Sequence, residues 1–63
     1  MATHTGVSLA CKRILGKDKA KDALANNSMI VVVEMACAVI VRDHLQGAEV
    51  EVIRDFLNMV KEG

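Results

Sequence analysis

Glu34, Cys37 and His44 are the residues of this chain whose types suggest chemistry first, since a carboxylate, a thiol and an imidazole could share a metal ion or move a proton. Glu34 lies three positions before Cys37, and His44 lies seven beyond it, so on a helix the three would form a ladder along one side. Structural zinc sites are built instead from close Cys or His pairs two to four residues apart, and no such pair occurs here. The sequence therefore predicts no metal site and no cofactor. Cys11 and Cys37 each sit among apolar neighbours, where a thiol behaves as a small hydrophobe and burial raises its pKa, which argues against a nucleophile. No Ser/His/Asp grouping, glycine-rich phosphate loop or second carboxylate near Glu34 is present, so no catalytic residue is assigned and the chain is read as a non-enzyme.

The second cluster is cationic. Lys12, Arg13, Lys17, Lys19 and Lys21 are candidate phosphate contacts, five positive charges within ten residues. Three features weaken a nucleic-acid reading: Asp18 and Asp22 dilute the run, no aromatic residue stands nearby to stack on bases, and the formal charge of the chain is zero. Residues 1–28 carry five Lys/Arg against two Asp, whereas residues 29–63 carry three Lys/Arg against six Asp/Glu. Halves of about +3 and −3 favour packing of one against the other, within a chain or between chains, over binding a polyanion.

What must position these residues is dominated by the segment Met29–Val41, in which only Glu34 is not apolar. Proline is missing from the chain, and Gly6, Gly16, the Asn26-Asn27-Ser28 cluster and Gly47 supply the punctuation. Val7, Ala10, Cys11, Ile14 and Leu15 fall on one helical face, predicting a helix over about 6–15 with Thr5 as its N-cap. A shorter helix capped by Asp18 runs to Ala25, its apolar side limited to Ala20, Ala23 and Leu24. Asn27 or Ser28 caps the third, predicted from Met29 to about Gln46 with Gly47 as its C-cap residue. A β-hairpin through the same residues would need a turn, and Glu34-Met35-Ala36 offers no Gly, Asn or Asp. The last helix is the plainest, with Val50, Ile53, Phe56, Leu57 and Val60 on one face and charged residues on the other.

The fold class is thus all-α: one domain over 1–63, a small bundle of three to four helices around a central buried helix of about 29–46. A stripe of Asn27, Val31, Glu34, Ala38 and Arg42 is the only side of that helix expected in water, and three partner helices in one chain cover too little of the rest. Domains this small bury only about 60% of their unfolded surface, and two cysteines allow at most one disulfide. Homo-oligomerisation, most simply a homodimer, is expected to complete the bundle through Val32, Val33, Ala36, Val39, Ile40, Phe56, Leu57 and Val60. The thirteen residues Met29–Val41 give about 20 Å of helix against a bilayer core of about 30 Å, so no membrane span is expected. With no secretory leader legible at the start, the expected location is cytoplasmic. The functional expectation is a small regulatory or accessory protein that binds itself and another protein, with a nucleic-acid-associated regulator using residues 12–21 as the alternative.

Overall fold

Thr3 turns the chain into its first helix: its backbone is extended (φ −100°, ψ 160°) and its hydroxyl accepts a hydrogen bond from the Gly6 amide at 3.1 Å. The computed structural model describes residues 3–62, and among these all regular structure is helical. Helix α1 spans His4–Leu15, α2 Lys17–Asn26, α3 Met29–Asp43 and α4 Ala48–Glu62. The cap is Thr3 rather than the expected Thr5, which starts α1 two residues earlier. Gly16 alone separates α1 from α2. Its amide donates to the Lys12 carbonyl at 3.0 Å and its carbonyl accepts from Ala20 at 2.9 Å, so one residue closes one helix and opens the next. That double role needs φ 99°, a backbone region glycine visits freely.

Asn27 ends α2 by donating both its backbone and side-chain amides to the Ala23 carbonyl. Ser28 is the N-cap residue of α3 in position, but its hydroxyl makes no capping bond. The third helix ends earlier than the sequence implied. His44 adopts the left-handed conformation (φ 54°, ψ 41°), and both its amide and that of Leu45 bond back to the Ile40 carbonyl. This satisfies the terminal carbonyl in the manner of a Schellman closure. Leu45, Gln46 and Gly47 then form the connection, and Gly47 opens α4 instead of closing α3. The left-handed turn at His44 takes the chain out of α3 before Gly47 is reached, and the Gly47 carbonyl instead accepts from the Glu51 amide in the first turn of α4.

The core draws on all four helices: Val7, Ala10 and Cys11 from α1, Ala23 from α2, Val32, Val33 and Ala36 from α3, Ile53 and Phe56 from α4. Helices α1 and α3 each pack against all the others, whereas α2 and α4 do not meet. The most extensively packed helix is α1, not α3. Small side chains at Ala10 and Cys11, and none at Gly6, let neighbours approach it closely; the Gly6 backbone lies beside Val52 of α4. The radius of gyration is 10.5 Å, matching the value of about 10.6 Å expected of a compact domain of this length.

The wet stripe predicted for α3 is the face found in water, since Asn27, Val31, Glu34, Ala38 and Arg42 are all exposed. Burial on the rest is less complete than an all-round apolar helix implies. Val32, Val33 and Ala36 are fully enclosed, Met35, Cys37, Val39 and Ile40 are half-buried, and Val41 is 74% exposed. No helix among the described residues is long and apolar enough to cross a membrane.

Candidate functional site

Where α4 runs back along α3, the two helices leave a groove of about 230 Å³ between them. Cys37, Ile40 and Val41 of α3 and Val50, Ile53 and Leu57 of α4 form its apolar surface, and Arg54, Asn58 and Lys61 line it from the α4 side. The volume falls below the roughly 300–1,000 Å³ of cavities that enclose small ligands. The apolar lip of the groove continues through Val41 to Leu45, which is 38% exposed.

The α4 edge of the groove is built by helical spacing. Arg54, Asn58 and Lys61 recur at intervals of four and three, with Glu51 three residues ahead of Arg54, so the four side chains share one face. Arg54 lies 3.8 Å from Glu51, and both are more than 60% exposed, so the contact contributes little stability and leaves both charges available.

Cys37 is the one thiol on this surface. Burial pushes its pKa up; the nearby Lys61 and Arg54 cations pull it back and Glu34 opposes them, with a net rise. Cys11, fully enclosed, is pushed up by burial first and then by the neighbouring Cys37. Both thiols are free. Iodoacetamide at pH 8 should modify Cys37 at least tenfold faster than Cys11, which should react at the rate of unfolding; peptide mass spectrometry over time reads both, and equal rates would contradict the enclosure of Cys11.

The ladder of Glu34, Cys37 and His44 is not assembled into a site: Glu34 points to water, Cys37 to the groove, and His44 occupies the exposed left-handed cap. Among the described residues no group of three His, Cys, Asp or Glu side chains is placed to hold a metal ion.

The basic segment is divided by the fold. Arg13 forms an ion pair with Glu49 across α1 and α4, and this hydrogen bond, with one from the Glu49 backbone, holds the Glu49 carboxyl below its usual range. Lys12 is half-buried beside His4, Ser8 and Leu9. On α2 the buried side is Ala20 and Ala23. At 100° per residue Lys17 and Lys21 flank that side on one edge and Lys19 on the other, with Asp18 and Asp22 on the outward crest between them. The cations therefore point apart, with carboxylates in the middle.

The eight residues expected at an oligomer interface also divide. Val32, Val33, Ala36 and Phe56 are core residues of the single chain and offer a partner almost no surface. Ile40 and Leu57 line the groove, while Val39 and Val60 are half-buried elsewhere on α3 and α4. Sequence reasoning passed over Val41, Leu45, Arg54, Asn58 and Lys61. The last three could have been found from their spacing on α4, had polar residues beside the apolar face been read as an edge and not as a solvated back.

No protein-family model matches the chain, and neither the curated proteins nor the solved structures include a significant match.

Proposed function

We propose that this chain is a non-enzymatic protein-interaction module, an accessory or regulatory protein whose working surface is the groove between α3 and α4. The observation that carries this reading is the apolar lip at Val41, 74% exposed although it sits in the longest apolar run of the sequence. Five apolar residues of the groove adjoin it, and exposed apolar surface rimmed by polar side chains marks an interaction site. The groove is too small and open to enclose a substrate, and burial raises the pKa of its single thiol, which disfavours the thiolate that a nucleophile needs. Homo-oligomerisation is part of the proposal.

Val41 offers a clean test, because a side chain already in water can be made charged without disturbing the core. Val41→Asp should shift the unfolding free energy by less than about 0.5 kcal/mol while abolishing association. Cys37 alkylation is a suitable readout, since any protein covering the groove shields that thiol. In a host-cell extract, wild-type Cys37 should be modified several-fold more slowly than in dilute buffer, and Val41→Asp should remove the protection. Equal rates for both chains in both media would overturn the reading.

A further inference from the structure

We propose that the occupant of the groove is a second copy of this chain, docked so that the two α4 helices lie antiparallel across a two-fold axis. The inference rests on the interaction-module reading and names the partner. Its basis is the order of charges on the α4 edge. Glu51, Arg54, Asn58 and Lys61 are separated by three, four and three residues, a spacing that is the same in either direction. Glu51 and Lys61 are each five residues from Phe56, and Arg54 and Asn58 are each two residues from it. Two such helices, antiparallel and centred on Phe56, therefore bring Glu51 of each copy to Lys61 of the other. Arg54 meets Asn58, whose side-chain carbonyl accepts from a guanidinium. Because a two-fold interface repeats every contact, the arrangement yields two ion pairs and two Arg–Asn contacts.

The alternatives are poorer. A parallel pairing of the same stripe sets Glu51 against Glu51 and Lys61 against Lys61, and like charges in register cost affinity. An acidic peptide would satisfy Arg54 and Lys61 but would meet Glu51 at one end of the stripe and would also feel Glu34 of α3, whose charge reaches Cys37. A second copy supplies both signs in the required order. The apolar contribution comes from Val41, Leu45 and Leu57, all at least partly exposed and adjoining the stripe.

Sedimentation equilibrium of four chains tests this: wild type, Glu51→Lys, Lys61→Glu, and the double exchange Glu51→Lys with Lys61→Glu. Both substituted positions are exposed, so circular dichroism should show each chain folded. The wild type should pass from monomer to dimer with concentration. Each single exchange replaces two attractive pairs by two repulsive ones and should weaken dimerisation roughly tenfold at low salt. The double exchange restores opposite charges at both positions and should return the dissociation constant to within about threefold of wild type. Indistinguishable mass curves for the four chains, or a double exchange weaker than either single one, would overturn the proposal. A wild type that stays monomeric at millimolar concentration would overturn it too. If Cys37 is nevertheless shielded in cell extract, the interaction-module reading survives with a different protein in the groove; if it is not shielded, both fall.

Discussion

Ile53→Ala should lower the stability of the fold by about 2–5 kcal/mol, and Ile53→Asp should leave the chain unfolded. Ile53 is the largest side chain enclosed completely, and it lies in the cluster to which every helix contributes. Stabilities of about 0.05–0.15 kcal/mol per residue give this chain of 63 residues only about 3–9 kcal/mol in total. A cavity at Ile53 therefore removes a large share of it, and a buried carboxylate exceeds it. Lys19→Ala is the comparison, since Lys19 is exposed on α2 and its removal should change stability by no more than a few tenths of a kcal/mol. Urea denaturation followed by the helical circular dichroism signal measures both. Similar midpoints for Ile53→Ala and Lys19→Ala would show that α4 does not pack as described.

The second large effect is at a residue without a side chain. Gly16→Ala should cost about 1–3 kcal/mol, because φ 99° with ψ 143° lies where a Cβ is strained by its own backbone. No neighbouring atom lies within 4 Å of the added methyl, so the penalty is conformational, not steric crowding from elsewhere. Gly6→Ala separates the two effects. Gly6 lies inside α1, where alanine gains about 1 kcal/mol of helix propensity, but its methyl would stand 3.3 Å from the Thr3 hydroxyl that caps the helix. Loss of that cap costs about 0.5–2 kcal/mol, so the two contributions nearly cancel. Thermal melts of the two alanine variants should differ by several degrees, with Gly16→Ala lower. Coincident melts would mean that the corner between α1 and α2 can relax out of its positive φ.

The four helices were legible because their signals are local and redundant. Val7, Ala10, Cys11 and Ile14 repeat at the helical period, Gly16 stops the helix they define, and α4 carries a cleaner version of the same pattern. The end of α3 was not legible. Gly47 looked like the residue that would take the left-handed cap, but His44 takes it, with the amides of His44 and Leu45 both closing on the Ile40 carbonyl. Burial on α3 was overestimated as well. Val39, Ile40 and Val41 are equally apolar, and only the positions of the neighbouring helices decide that Val39 and Ile40 are half-buried while Val41 is 74% exposed. The groove was half visible. Ile40 and Leu57 were picked out by hydrophobicity, whereas Arg54, Asn58 and Lys61 look like any solvated helix face until α3 is set beside them. The division of the basic segment was equally hidden, since linear proximity in Lys12–Lys21 says nothing of the directions that a helix and a one-residue corner impose.

Because α2 never touches α4, the molecule has a hierarchy of cohesion. Helix α2 is held to the others chiefly through Ala20, Ala23 and Leu24, side chains that bury little area, and a segment with so few enclosed methyl groups opens at a lower free energy than the whole. Its departure would leave α1, α3 and α4 in contact with one another, with Val7, Cys11, Val33, Ile53 and Phe56 still clustered. Tethered to α1 at Gly16 and to α3 through Asn27 and Ser28, α2 should accordingly exchange its amide protons faster than α1, α3 and α4, while the opposite face between α3 and α4 stays in place.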